Sequence, residues 1–190
     1  MYDKLAITDE KGRIAVAASY PAHIRIVKTN GIVREYEQDV AEHCRQAAEW
    51  AAVALSCVGL GKTAYLAALL HDSGKATAAF REYIEKAAHG EPVRRGSVNH
   101  TFTGVRMLLE RYHGPDPGRY ADVTCELMAY AVGAHHGLFD CVDERRQHGF
   151  TRRLHKEDIG YEEAYRYFVA KVDLRQYRID TFFFQGLQCL

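Results

Sequence analysis

The apolar run TAYLAALL at 63–70 ends abruptly in His71-Asp72-Ser73-Gly74-Lys75. A helix of that composition must be buried, so its end carries an imidazole, a carboxylate and an ammonium into or beside the core. Removing such groups from water is costly unless they find partners. Three further histidine sites flank the stretch: His43 upstream, His100 downstream, and the adjacent pair His135-His136. A fold that gathers these groups satisfies them best around bound metal, and we take a metal pair as the expectation.

Composition narrows the alternatives. The 190 residues suffice for one domain with a substantial core, and 47% hydrophobic with 26% charged is ordinary globular usage. Lys+Arg and Asp+Glu both number 25, so the formal net charge is zero. No global positive field exists to hold nucleic acid; any such binding must rest on local patches, metals or a partner. Ten histidines are the unusual count. The five cysteines form no C-x-x-C and are odd in number, which favours free thiols in a reducing cytoplasm over a disulfide framework. The charged start MYDKLAITDEKG has no apolar signal core, and no run approaches the ~20 apolar residues of a membrane span.

Along the chain, residues 5–16 read as a β-hairpin around Asp9-Glu10-Lys11-Gly12. Residues 20–36 read as a second, with Asn30-Gly31 as its tight turn. From Asp39, a candidate cap, the period becomes helical: Val40, Cys44, Ala47, Ala48, Ala51 and Leu55 recur at i+3 or i+4 up to Gly59 and Gly61. Further helices are expected over about 62–71, over 76–88 with Phe80, Tyr83, Ile84 and Ala87 inward, and from a Ser97 cap to Tyr112. A fifth spans 119–135 with Leu127, Met128, Ala131 and Val132 inward. Residues 137–158 look irregular. A last helix begins near Tyr161 and buries Tyr165, Phe168, Val169 and Val172. The apolar end TFFFQGLQCL resembles an interrupted element, so the natural chain is expected to continue. The architecture is an all-α bundle with a small N-terminal β addition.

Two patterns invite chemistry. Gly59-Leu60-Gly61-Lys62-Thr63 resembles part of a P-loop, but Ser56 stands where that pattern needs glycine, and a helix rather than a strand precedes it. A helix–helix turn is the better reading. The histidine set differs: imidazole and carboxylate suit Mn, Fe, Co, Ni or Zn, and the absence of cysteines at ligand spacing argues against a structural thiolate zinc site. Helices packed around one axis can point His43, His71, Asp72, His100, His135 and His136 inward. Gly74 is expected to let the chain turn sharply beside Asp72. Lone histidines (His23, His89, His113, His148 and His155) read as surface residues. Ser97 and Thr101 are either orienting groups for His100 or ordinary cap and helix residues.

Together these residues resemble the HD superfamily of metal-dependent phosphohydrolases, and in particular the HD nuclease domain of the CRISPR-associated helicase–nuclease of type I systems. The resemblance rests on His43, LLHDSGK at 69–75, SVNHTFTG at 97–104 and AVGAHHG at 131–137, and covers about residues 39–140. It implies an HD-domain bundle with a dinuclear site of divalent ions (Mn, Fe, Co or Ni, with Mg as an alternative). One ion would take His43, His71 and Asp72, the other His100, His135 and His136, with Asp72 bridging and Lys75 facing the substrate phosphate. The family's late aspartate falls on Asp173, Asp180 or a residue beyond Leu190; Asp140 would be a loop or supporting residue. The implied function is hydrolysis of single-stranded DNA by residues 1–190 as a single nuclease domain, possessing a helicase domain or subunit and an RNA-guided surveillance complex as partners. Arg94, Arg95, Arg145, Arg146, Arg152 and Arg153 are candidate contacts to the nucleic-acid backbone, with solvated surface the default reading for each. Two alternatives stand beside it: a small-molecule HD phosphohydrolase acting on a cyclic dinucleotide or nucleotide, and a non-catalytic module stapled by metal. The segment GLFDCVDE after His136 lacks the Gly-Tyr-Pro element of the cyclic-dinucleotide enzymes.

Overall fold

The computed structural model describes residues 19–114, 120–138, 141–142, 149–157, 160–174 and 177. Within them the chain forms one antiparallel hairpin, β1 (Pro21–Thr29) and β2 (Ile32–Asp39), followed by seven helices. These are α1 (Val40–Ser56), α2 (Gly61–Leu70), α3 (Ala78–Ala88), α4 (Thr101–Tyr112), α5 (Tyr120–Gly133), α6 (Gly149–Leu154) and α7 (Tyr161–Lys171). The expected helical bundle with a small β addition is what forms. The hairpin expected at 5–16 and the apolar end TFFFQGLQCL lie outside the described residues.

The hairpin closes through Asn30 (φ 51°) and Gly31 (φ 79°), both left-handed, as a two-residue turn matched to strand twist requires. Asp39 ends β2 and caps α1, accepting a hydrogen bond from the Ala41 amide at 3.0 Å. α1 and α2 pack closely where Gly61 meets α1: a Cβ there would lie 2.9 Å from the Ala52 carbonyl oxygen. The candidate P-loop is thus the α1–α2 turn.

The core is built from Leu66, Leu69 and Leu70 of α2, Phe102, Val105, Met107 and Leu108 of α4, Val132 of α5 and Phe168 of α7. Each such side chain contributes about 1.5–3 kcal/mol on leaving water. α4 crosses the end of α2 at Gly104, whose added Cβ would stand 2.0 Å from the Leu70 carbonyl oxygen. That contact presses the start of α4 against the His71–Lys75 turn.

Several boundaries and faces differ from expectation. α4 starts at Thr101, not Ser97; Ser97 lies exposed in the preceding turn and His100 takes the cap position without a side-chain cap bond. α5 ends at Gly133, so His135 and His136 sit in the turn beyond it. The stretch 137–158 contains α6. On α5, Leu127 (67% exposed) and Ala131 face outward, while Asp122, Thr124, Cys125 and Ala129 share the buried face with Met128 and Val132. Small and weakly polar residues share that face with the larger apolar ones, which hides it from a hydrophobicity count. Ala87, Leu55, Tyr165 and Val169 are exposed as well.

Candidate metal centre

The α2 helix ends at Leu70, and a 3-10 turn over Ser73–Lys75 follows. Together they deliver Asp72 (3% exposed) and Lys75 into the interior. Gly74 serves this differently from the expected sharp turn, since its φ is not left-handed. A Cβ at Gly74 would lie 2.0 Å from the His100 carbonyl oxygen and 2.6 Å from the Thr103 hydroxyl oxygen. Glycine is required because the N-terminus of α4 rests directly on the turn.

Asp72 is the hub. Its Oδ2 lies 3.0 Å from His43 Nε2, 3.1 Å from His71 Nε2 and 2.9 Å from Lys75 Nζ. Its Oδ1 lies 3.4 Å from His135 Nε2 and 3.7 Å from His100 Nε2. His100 Nε2 and His136 Nε2 meet at 2.8 Å. The candidate donors therefore fall into two groups sharing one carboxylate: His43, His71 and Asp72, and Asp72, His100, His135 and His136, with one ligand atom from each residue of a group within 4.8 Å of the others. All six residues expected at the centre converge there.

Backbone carbonyls set the ring orientations. His71 Nδ1 faces the Ala68 oxygen at 2.6 Å and His135 Nδ1 the Val132 oxygen at 2.7 Å; His100 Nδ1 faces the Val98 oxygen at 3.3 Å. Only an N–H can bond to a carbonyl, so Nδ1 donates and each neutral ring turns its Nε2 lone pair toward Asp72. A lone pair aimed at a carboxylate is unfavourable without a proton or cation between them. Asp72 Oδ1 and His135 Nε2 are both buried and neither has a hydrogen-bond partner. These orphaned atoms and this donor chemistry fit divalent cations.

Burial by itself would raise the Asp72 carboxyl, yet a proton on the facing imidazoles of His135, His43 and His71 outweighs burial and holds it far below the usual carboxylate range. Burial lowers His100 to about 4, keeping it neutral and able to ligate. His135 is moved the other way: burial lowers it, but Asp72 outweighs that and raises it.

Lys75 is 8% exposed at its side chain, with its ammonium on Asp72 and 5.5 Å over the Phe80 ring, which also packs edge-on against His100. Asp173 lies exposed just past α7 and belongs to neither donor group; Asp180 and Asp140 lie outside the described residues. Thr101 is buried at the start of α4. Arg94, Arg95 and Arg152 are exposed, whereas Arg145 and Arg146 lie outside the described residues.

Sequence reasoning places His23 on the surface, as found, but does not reveal its contact with His43. The His23 ring is exposed, but it packs edge-on against His43 with centroids 4.6 Å apart, and burial with the nearby Lys75 and His43 lowers its pKa. The signal was strand alternation, which pairs His23 with Arg25 on one face; no motif marks it.

A family model described as Cas3, HD domain, matches residues 29–181, well over half of the chain and including every one of the six donors. No curated protein matches it. Among the described residues no helix is long and apolar enough to cross a membrane.

Proposed function

Because the chain belongs to the Cas3 HD-domain family, whose members are CRISPR-associated metal-dependent nucleases, we propose that residues 1–190 form a single nuclease domain hydrolysing single-stranded DNA. The observation that carries this reading is the division of Asp72: one oxygen serves the His43–His71 group and the other faces His100 and His135. One carboxylate between two imidazole sets is the donor arrangement for a pair of divalent ions, of which Mn, Fe, Co and Ni suit these ligands best. Ions held there supply Lewis-acid activation of water and neutralise charge at phosphorus.

The protein's own groups do the rest. His71 and His135 keep their lone pairs on the centre through bonds to Ala68 and Val132. His43 and His100 close the two sides, and Phe80 packs edge-on against His100. Lys75 is the protein's own cation in the centre: it balances Asp72 and is the group to contact a substrate phosphate. The neutral net charge agrees with a strand delivered by a partner, here a helicase domain or subunit acting with an RNA-guided surveillance complex in the cytoplasm.

The test is cleavage of a labelled oligonucleotide by purified protein with Mn, Co or Ni added. Single strands should be cut faster than duplex, and chelator should stop the reaction. Activity confined to cyclic dinucleotides would overturn the nuclease reading, and one tightly held zinc without hydrolysis would favour a metal-stapled module.

A further inference from the structure

The hairpin that opens the described chain has two chemically different faces. Opposed residues in the register share a face, as do alternate residues along a strand. His23 opposes Gln38, Arg25 opposes Tyr36 and Val27 opposes Arg34; these make one face. Ile24 opposes Glu37, Ile26 opposes Glu35 and Lys28 opposes Val33; these make the other, which carries two glutamates and one lysine. The isoleucine–glutamate face lies toward α3, where Glu35 is 3.5 Å from His89. The opposite face is open. Arg25 and Arg34 are exposed and in no ion pair among the described residues, and Tyr36 is 52% exposed.

That open face runs out from the metal centre. The register is irregular between Pro21 and His23, where buried Ala22 takes an extra position. Such a bulge re-aims the side chains beside it, and here His23 comes to lie against the His43 ring. From His23 the face continues through Arg25 and Tyr36 to Arg34 at about 7 Å for every two residues of strand. All charges on the described part of this face are positive, whereas both glutamates lie on the other.

We propose that the His23–Arg25–Tyr36–Arg34 face is a ledge on which a single DNA strand lies as it enters the centre. Arg25 and Arg34 hold phosphates and Tyr36 stacks a base, the combination that binds single strands without reading their sequence. His23 donates a hydrogen bond to the phosphate nearest His43. Charge separation between the two faces favours a polyanion on this one, and the exposed tyrosine favours unpaired bases over duplex. The inference rests on the nuclease reading above and adds the path of the strand.

The experiment uses the full chain with its metal and a fluorescent oligo(dT), read by anisotropy and by KM for cleavage. Arg25→Ala and Arg34→Ala should each weaken binding about three- to tenfold and lower the slope of log affinity against log salt by about 0.7. Tyr36→Ala should weaken it about tenfold, with Tyr36→Phe restoring most of the loss. His23→Phe keeps a ring against His43 and should raise KM with metal content unchanged. Arg111→Ala removes one charge at the far end of α4 and should leave affinity within twofold. Hairpin variants that bind as the unsubstituted protein does, or Arg111→Ala matching Arg25→Ala, would overturn the ledge while leaving the nuclease reading intact. A metal-loaded protein that neither binds nor cuts any single strand would overturn both.

Discussion

Asp72 Oδ1 and His135 Nε2 face each other at 3.4 Å in the interior, each without a hydrogen bond. Two buried polar atoms left in this state cost about 1–3 kcal/mol apiece, and a cation bound by this donor set would relieve both penalties. The protein should therefore be stabilised by transition metal well beyond any nonspecific salt effect. At a hundredfold excess over Kd the gain is about 2.7 kcal/mol, or a rise in Tm of about 5–10 °C for a chain of this size. Calorimetry of chelated protein with and without Mn or Co measures it. An unchanged Tm would remove the metal assignment.

The two donor groups can be separated by mutation. His100→Ala deletes a ligand from the second group and leaves His43, His71 and Asp72 untouched. Metal content measured by elemental analysis should fall from about two ions per chain to about one, with cleavage lost. Complete loss of metal in this variant would show a single shared site instead.

Lys75 binds the fate of Asp72 to stability as well as to chemistry. Its ammonium is 8% exposed and 2.9 Å from Asp72 Oδ2. Asp72→Asn strands that cation in the interior, at a cost of about 3–5 kcal/mol, a large share of the 5–15 kcal/mol typical of a domain. Adding Lys75→Met should recover most of the loss in denaturant unfolding without restoring cleavage. If Asp72→Asn still cuts DNA, the shared-carboxylate role is wrong.

How much of this was legible beforehand depends on the kind of signal. The Asn30-Gly31 turn, the Asp39 cap and the α2 run each depend on local chemistry, and each was readable from neighbouring residues. The convergence of His43, His71, Asp72, His100, His135 and His136 was readable because the residue types are costly to bury and occur as a spaced set. Close backbone approach was not readable. Gly74 looked like a turn residue, yet it serves a contact with His100, a residue 26 positions away, that no local pattern announces. The start of α4 at Thr101 rather than Ser97 has no local signal either. Large apolar residues dominate a periodicity count and point to Leu127 as inward, whereas the buried face of α5 includes Thr124, Cys125 and Ala129. The contact of His23 with His43 escapes a local reading because the two rings lie on different elements, beside a register shift at Ala22.

Gly74→Ala tests that close approach directly. The new methyl would meet the His100 carbonyl oxygen at 2.0 Å, so the start of α4 must move. Overpacking of this kind costs about 1–3 kcal/mol or more, and it also shifts His100 away from Asp72. Metal affinity should drop by at least about tenfold, the equivalent of 1.4 kcal/mol, even in variants that remain folded by circular dichroism. Isothermal titration with Mn reads this, and an unaltered affinity would show that α4 is free to adjust.

A last relationship controls alkaline stability. Glu163 at the start of α7 accepts hydrogen bonds from the Tyr20 hydroxyl at 2.6 Å and from the Ala78 amide at 3.0 Å, tying the hairpin, α3 and α7 together. Burial first, and then the Glu163 carboxylate, push Tyr20 from 10.0 up to about 12. The folded protein keeps this proton where the unfolded chain releases it. The contribution is therefore full below pH 10 and is lost as pH rises through about 12. Tyr20 is partly open to solvent, so screening limits its worth to about 1 kcal/mol, below what the shift alone implies. Unfolding midpoints in urea at pH 8 and pH 11 should show a smaller alkaline loss in Tyr20→Phe than in the unsubstituted protein. Equal losses in the two would mean that the Tyr20–Glu163 bond does not hold the hairpin to α7.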